Sequence, residues 1–361
     1  MEHEVSLVSA SSIMEGLSSP KYLPIPIGIA PDGRWIVGDD ALRLLKDKTY
    51  LKAQPQHMLL PDPRKQALVK LSGDQIDSAS DVPVDVIFPV IHGTTGEDGA
   101  LQGLLEIADI PYVGTGILGS ALAMDKAVAK DMFRQAKLPV SPGIQIREQE
   151  FAEDPNHRII ACERSLKYPM FVKPANAGSS IGITKAHDRD ELKAGIITAF
   201  GYDTKVLIEK AVKNAREIEV SVLGNSRPEA SIPGEIIPSN EFYDYDAKYV
   251  DGRSRAEVPA HLPKTVIKKL QMLATRAFTT LNCHGMARVD FLVSRSTHAI
   301  VLNELNTIPG FTPISMYPKL WEASGVPYTE LLDRLIHLAL ERYAEKKRLQ
   351  SVYTPKAEWY R

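Results

Sequence analysis

Arg288-Val-Asp290 and Glu304-Leu-Asn306 are two i, i+2 pairs of hydrophilic residues set inside runs that are otherwise apolar. Alternate side chains of a strand share a face, so both members of each pair point one way. The short stretch between the runs makes them neighbouring strands of a hairpin, which brings Asp290, Glu304 and Asn306 together. Three hard oxygen donors, with no His or Cys among them, suit Mg²⁺, which keeps water and phosphate oxygens for the rest of its octahedron. Arg288, on the same face, could hold a phosphoryl group or a developing oxyanion. A solvated face with a cross-strand ion pair is the plainer alternative. The apolar opposite sides of both strands, beside the loop Asn306-Thr-Ile-Pro-Gly310, favour a used site.

Lys173-Pro-Ala-Asn-Ala-Gly178-Ser179-Ser180-Ile-Gly182 carries a second kind of chemistry. A lysine ends one strand, and a glycine-serine loop returns into another. Glycines let backbone approach an anion, and successive N–H groups with two hydroxyls donate to phosphate oxygens. No Gly-Lys-Ser/Thr is present and no helix follows, so this is not a Walker A loop. The pattern predicts a hairpin that folds over a nucleotide's phosphates as a glycine-rich lid; an ordinary hairpin with a small-residue turn is the alternative. Lys126, Lys173 and Lys248, near element ends or loops, are the cations such a site would draw on. His92-Gly, with Gly96-Glu-Asp-Gly99, gathers polar groups at a strand's end, where α/β sheets bind ligands. His92 could serve there as a base, a substrate contact or a cap partner, and spacing does not choose among these. Gly114-Thr-Gly116-Ile-Leu-Gly119 fits GxGxxG literally. It lacks the acidic residue expected about 20 positions on, so it reads as a loop turn rather than a dinucleotide site.

The elements that must position these residues can be read in outline. Val84–Ile91 is the first clear strand, apolar enough to be covered on both faces, followed by a helix with Leu101, Leu104, Leu105 and Ala108 on one side. A helix from about Ser120 to Lys137 follows. Short strands then occur at Met170–Lys173, Ile181–Lys185 and Val206–Glu209, with a helix near Glu191–Phe200, while Arg147–Ser165 reads as a loop with a short helix. Strands return at Ile218–Leu223, Arg288–Val293 and Ala299–Leu305. A long helix (Val266, Leu270, Leu273, Ala277, Leu281) lies between them and an amphipathic one (Leu331, Leu335, Leu338) near the end. Glu241–Pro263 is polar and aperiodic and reads as a long surface loop, of a length that is usually functional or disordered.

With 361 residues the chain has room for two or three domains. The 43 Lys and Arg nearly balance the 45 Asp and Glu, which argues against a general nucleic-acid binder. No apolar run approaches the roughly 20 residues that span a bilayer. The 2 cysteines, Cys162 and Cys283, form neither a disulfide framework nor a metal cluster, so the chain reads as a soluble cytoplasmic protein.

Taken together, these segments resemble the D-alanine–D-alanine ligases of the ATP-grasp superfamily, from Glu2 to about Leu340. The carrying motifs are Glu2-His-Glu-Val-Ser-Leu-Val-Ser9, His92-Gly93 with Gly96–Gly99, Met124-Asp-Lys126, Phe171–Gly182 and Glu209-Lys210 with Arg216-Glu217. Further on come Phe242–Tyr249, Gly285–Asp290 and Asn303–Gly310 through Ser315-Met-Tyr-Pro318. The resemblance implies an α/β ATP-grasp fold of three domains: an N-terminal parallel α/β domain (1–124), a central lid domain (125–212) and a C-terminal catalytic domain (213–361). The last two, both α+β, would clasp ATP. It implies Lys126 and Lys173 on the ATP phosphates under a cover of Ser179, Ser180 and Gly182. Glu209, Lys210 and Val212 would line the adenine pocket, Glu217 would meet the ribose, Lys248 would lie by the γ-phosphate, and Asn303 would complete the nucleotide site. Asp290, Glu304 and Asn306 would bind two Mg²⁺, with Mn²⁺ able to substitute. Glu2 and His92 would meet the first D-alanine, Ser315, Met316 and the Gly310 backbone the second, and Arg288 the reaction centre. Tyr249 would close the site by bonding to Ser180 and Glu2, a feature that favours an amine over D-lactate as second substrate. A homodimer is also implied.

The family has a strand and a Gly-Gly turn ahead of the segment matching Glu2-His-Glu, whereas Met1 stands here where that turn ends. The N-terminal sheet is therefore expected to be short of its first strand, through a start recorded too late or a truncation. An ATP-dependent dipeptide ligase is the leading expectation. A ligase for a hydroxy acid or another amine, and an inactive binding protein, stand beside it.

Overall fold

The computed structural model describes residues 3–18, 20–49, 56–72, 75–237 and 255–350. These build three sheets of five, four and six strands. The N-terminal part contains α1 (His3–Gly16), β1 (Ile27–Ile29), β2 (Trp35–Val37), α2 (Ala41–Lys46), β3 (Gln56–Leu59), β4 (Ala67–Ser72) and β5 (Gln75–Pro83). Its strands pair in chain order, each antiparallel to the next. The α/β class therefore holds, but the five-stranded sheet is an antiparallel meander rather than the parallel sheet expected. The run Val84–Ile91 forms no ladder among the described residues. It makes one parallel bridge, Ile87 to Tyr112, through Ile87 N–H to Pro111 O at 2.9 Å and Val113 N–H to Ile87 O at 2.8 Å. Pro89 removes a donor that a longer ladder would need. The crossover reading survives in reduced form, because α3 (Ala100–Ile107) connects these two parallel segments.

The helix expected over 120–137 is two, α4 (Ile117–Met124) and α5 (Lys126–Gln135). Asp125 divides them: its backbone is extended (φ -80, ψ 97), and its carboxylate accepts from the Ala127 and Val128 N–H groups, both at 3.1 Å. That is an N-cap, and it starts α5 with Lys126 at its first turn.

The central part holds β6 (Gly143–Arg147), α6 (Glu148–Glu153), α7 (Pro155–Ser165), β7 (Met170–Pro174), β8 (Thr184–Ala186), α8 (Arg189–Phe200) and β9 (Lys205–Lys210), with sheet order β6-β9-β7-β8. Arg147–Ser165 is thus mostly helical. Asp154 caps α7 by accepting from His157 N–H, and Pro155 fits its first turn, where no N–H partner is needed. α7 and α8 cover the sheet through Ile159, Cys162, Leu192 and Ile196, packed on Val172 and Ile208.

The C-terminal part adds β10 (Ala215–Gly224), β11 (Glu229–Ala230), β12 (Gly234–Ile237), β13 (Arg255–Glu257), α9 (Lys264–Thr280), β14 (Gly285–Ser294), β15 (Ile300–Asn306), α10 (Met316–Ala323) and α11 (Tyr328–Lys347). β13 falls inside the stretch expected to be one loop; residues 238–254 lie outside the described residues. β14 alternates cleanly: Val289, Phe291 and Val293 are buried, while Arg288 and Asp290 emerge on the other face. The buried set packs with Leu270, Leu273, Ala277 and Phe278 of α9. Each such side chain is worth roughly 1.5–3 kcal/mol of burial. A one-residue slip would exchange the faces and place Arg288 and Asp290 in that core, so the register is strongly held.

Candidate active site

The β14–β15 register sets Arg288 opposite Asn306 and Asp290 opposite Glu304, so the two hydrophilic pairs meet as their spacing requires. Between Asp290 and Phe291 the register shifts, and Asn303 becomes the extra residue of a bulge, since Phe291 faces Leu302. A bulge re-aims a side chain. Asn303 here accepts at 3.2 Å from the Lys173 ammonium, although regular alternation would turn it away from the face of Glu304.

These strands floor a cleft whose lining includes His92, Glu97, Lys126, Gly178, Ser179, Ser180, Arg288, Glu304, Asn306 and Gly310, enclosing about 80 Å³. The glycine-serine loop lies across it. Ser179 (φ 47), Ser180 (φ 60) and Gly182 (φ 71) all adopt left-handed backbone, which is why β8 begins only at Thr184 and not at Ile181. Left-handed serines cost of order 1–3 kcal/mol each and persist where surrounding structure holds them. A Cβ on Gly182 would meet Tyr202 Cδ2 at 2.5 Å and Pro174 Cγ at 2.9 Å, so the loop seats against α8's end only with glycine there. Lys126 reaches the same loop, donating to Ala177 O at 2.5 Å.

Arg288 binds Asp290 through two bonds, at 2.8 and 2.7 Å, and lies 3.2 Å from Glu219 Oε2. Burial opposes its charge, but Asp290, Glu219 and Glu304 more than offset this and hold its pKa well above the ordinary arginine value. Asn306 Nδ2 donates to Asp290 Oδ2 at 3.0 Å. Asp290, Glu304 and Asn306 thus form a set of oxygen donors suited to a hard cation. Both Asp290 oxygens already accept from Arg288, so a cation at Asp290 would share that carboxylate with the guanidinium. Among the described residues no group of three His, Cys, Asp or Glu side chains is placed to hold a metal ion.

Lys173, on β7, is buried, with its ammonium 2.8 Å from Glu209 Oε2. Burial would lower its pKa, but Glu209 and Glu304 raise it above the ordinary lysine value. Burial likewise works to raise the Glu209 pKa, yet Lys130 and Lys173 pull it to about 2, so the carboxylate is ionised. The Glu209 side chain therefore lies between two lysines. Lys210, Val212 and Glu217 lie along the passage from β9 to β10, with Lys210 exposed and the other two half-buried.

His92 is held on both sides. Its Nδ1 donates to Ile308 O at 3.1 Å and its Nε2 faces Ser9 Oγ at 3.3 Å, while Ser9 Oγ accepts from Phe311 N–H at 3.2 Å. Burial pushes its pKa down to about 4, so the ring is neutral at pH 7. Glu97 holds the neighbouring chain turns, accepting from Gly93 N–H at 2.6 Å and Ile308 N–H at 3.3 Å. Gly310 touches Ser315: a Cβ there would lie 2.6 Å from Ser315 Oγ. Ser315 Oγ also accepts from Thr312 N–H at 3.0 Å, just ahead of α10. The Met316 side chain, in contrast, is buried with Ile236 and Leu320, leaving only its backbone at the helix start. Glu2, Lys248 and Tyr249 lie outside the described residues.

Two residues at this site escape motif reading. Glu219 follows Glu217 by two positions on β10 and pairs with Asp290, so alternation could have found it. Lys130 sits four positions after Lys126, on the inward side of α5 with Phe133. An inward lysine on an apolar helix face was its available signal.

A glycine-serine flap over strands bearing oxygen donors, between two antiparallel sheets, defines an ATP-grasp protein. Residues 1–115 match the family described as D-ala D-ala ligase N-terminus, and residues 132–337 match D-ala D-ala ligase C-terminus. The D-alanine–D-alanine ligase of Caldicellulosiruptor bescii is 48% identical over 349 residues, covering 97% of this chain and 94% of that protein. That of Chloroherpeton thalassium is 49% identical over 349 residues, covering 96% of this chain and 95% of that protein. Among solved structures, the D-alanine–D-alanine ligase of Coxiella burnetii superposes with a TM-score of 0.81 at 36% identity, over 96% of this chain and 93% of that one. A D-Ala:D-Ser ligase of Enterococcus faecalis gives 0.82 at 36% identity, over 94% of this chain and 96% of its own. The chain belongs to the D-alanine–D-alanine ligase family.

Proposed function

We propose that this protein joins two D-alanines at the expense of ATP, forming D-alanyl-D-alanine for peptidoglycan synthesis with ADP and phosphate as the other products. The observation that carries the reading is the β14–β15 register, which sets Asp290 against Glu304 and Arg288 against Asn306 below the Ser179–Gly182 flap.

In this reading Lys126 and Lys173 hold the ATP phosphates, covered by Ser179, Ser180 and Gly182. Glu209, Lys210 and Val212 border the adenine, Glu217 the ribose, and Asn303 and Lys248 complete the nucleotide site. Asp290, Glu304 and Asn306 hold two Mg²⁺, replaceable by Mn²⁺, which when bound neutralise charge on the phosphates. The first D-alanine, met by Glu2 and by the wall that His92 supports, attacks the γ-phosphorus through its carboxylate to give an acyl phosphate and ADP. The second D-alanine, with its carboxylate at Ser315 and the Met316 backbone, attacks that carbonyl through its free amine. Arg288 and the Gly310 N–H stabilise the tetrahedral oxyanion, and phosphate leaves. Acyl phosphates hydrolyse in water, so the flap and Tyr249 close first. Arg288, bonded to Asp290 here, would be freer to turn toward substrate with a cation sharing that carboxylate. The domains run 1–124, 125–212 and 213–361, and the protein is a homodimer. A cytoplasmic location fits the ATP supply and the free thiols Cys162 and Cys283.

The test is phosphate release from ATP and Mg²⁺ with D-alanine, with L-alanine, and with D-alanine plus D-lactate or D-serine. Release with D-alanine alone, yielding the dipeptide, is expected; release only when D-lactate or D-serine is present would assign another second substrate. Lys173→Ala and Glu304→Ala should each lower turnover at least 100-fold with the fold intact, and undiminished rates in either would contradict the site map.

A further inference from the structure

One buried cation has no role in that reading. Lys130 is 3% exposed on the inward face of α5, beside Ala127 and Phe133. Its ammonium lies 2.7 Å from Glu209 Oε1 and donates to Leu302 O at 3.3 Å. The Lys173 ammonium lies 2.8 Å from the other oxygen of the same carboxylate and donates to Asn303 Oδ1 at 3.2 Å. Three side chains from α5, β9 and β7 thus form one row, and both lysines end on adjacent residues of the β15 bulge that precedes Glu304.

The charge count decides what this row does. A buried Lys173–Glu209 pair alone is neutral, and the carboxylate would hold the ammonium to itself. Burial lowers the Lys130 pKa against the pull of Glu209; in its protonated form, this second lysine on the opposite oxygen leaves the row with one net positive charge. It also divides the carboxylate's attraction, so Lys173 keeps bonding capacity for an anion. Packing does not require a lysine at this position, since an apolar side chain would fill an inward helix site at no desolvation cost.

We propose that Lys130 is a positioning residue for the nucleotide site: by engaging Glu209 and the Leu302 carbonyl it leaves Lys173 a net cation toward the polyphosphate and steadies the bulge that carries Asn303. This rests on the reading of Lys173 as a phosphate ligand. The full-length protein is assayed for ADP formation with ATP varied at saturating D-alanine, and with D-alanine varied at saturating ATP. Lys130→Met should raise KM for ATP roughly 10- to 100-fold, the size expected for one unit charge lost a few ångströms from phosphate in a partly desolvated site. KM for D-alanine should change less than about twofold. The double variant Lys130→Met with Glu209→Gln restores the single net charge and should recover at least a tenth of the wild-type affinity for inorganic tripolyphosphate, a probe without adenine, scored as a competitor of ATP. It also provides a variant in which no carboxylate is left half-paired. The proposal is overturned by an unchanged KM for ATP in Lys130→Met, by equal rises in both KM values, or by a double variant no better than the single one. Lys173→Ala separates the layers: if it too leaves KM for ATP unchanged, the phosphate reading of Lys173 fails, whereas a rise in Lys173→Ala alone removes only the role of Lys130.

Discussion

His92 has both ring nitrogens engaged. Because the Ile308 carbonyl can only accept, Nδ1 carries the proton, and Nε2 is left to accept from the Ser9 hydroxyl. That hydroxyl accepts in turn from Phe311 N–H, so the imidazole ties α1 to the loop ahead of Ser315. Burial lowers its pKa to about 4, against roughly 6.5 in an unfolded chain, so folding opposes its protonation. The stability this contributes is complete above about pH 6.5 and is lost as pH falls toward 4, amounting to about 2 kcal/mol by pH 5. Unfolding midpoints measured at pH 7 and pH 5 should therefore fall further for the wild type than for His92→Gln. Parallel falls in the two proteins would show that the imidazole is not the titrating group. The residue's type and its place beside Gly93 were legible in the sequence. Its partners were not, because Ser9 and Ile308 lie 83 and 216 positions away.

The flap and the α4–α5 junction show what governs whole elements. At the flap, three left-handed residues and the Tyr202 ring leave no room for a side chain at position 182. Gly182→Ala should lower kcat/KM for ATP at least 10-fold, since strain of about 1–3 kcal/mol falls on the closed loop. The global unfolding midpoint should move little, because the loop lies outside the apolar cluster under the four-stranded sheet. An unaltered kcat/KM would mean the loop does not close on the nucleotide as proposed. At the junction, Asp125 caps α5 and also pairs with Lys205 on β9. Asp125→Ala should cost about 1–2 kcal/mol in thermal or urea unfolding, and a value near zero would remove the cap argument. β14, β15 and α9 were readable because long runs repeat their period. Lys173–Gly182 was readable because small residues follow a lysine at a strand's end. The N-terminal meander was not, since β1 and β2 have 3 residues each and β3 has 4, too few alternations to register. Nor was the break at Asp125, where the apolar pattern resumes directly after the two charged residues Asp125 and Lys126.

Across the whole molecule, the site exists only where separate units meet. Residues near the N-terminus supply His92 and Glu97, the central sheet supplies Lys173 and the flap, and β14 and β15 supply the oxygen donors. The central and C-terminal units are stitched along one seam, where Leu302 N–H donates to Pro139 O at 2.6 Å and Val140 pairs with Leu302. The cleft between them encloses about 80 Å³, far below the roughly 300–1,000 Å³ of a drug-sized ligand site. In the proposed reading the flap lifts to admit a nucleotide and settles again on it. Binding to the folded state alone stabilises by about 2.7 kcal/mol at a hundredfold excess over Kd, worth roughly 3–5 °C for a chain of this size. ATP with Mg²⁺ should raise the unfolding midpoint by that much, ATP with a chelator by clearly less, and D-alanine alone by little. In Glu304→Ala the metal-dependent part of the rise should vanish while any part due to ATP alone persists. Hydrogen exchange should then slow in 175–183 on adding ATP and Mg²⁺, while the buried face of α8, already packed against β7, changes little. A full Mg²⁺-dependent rise in Glu304→Ala, or exchange in the flap indifferent to nucleotide, would separate the oxygen donors from the flap and with them the ligase mechanism.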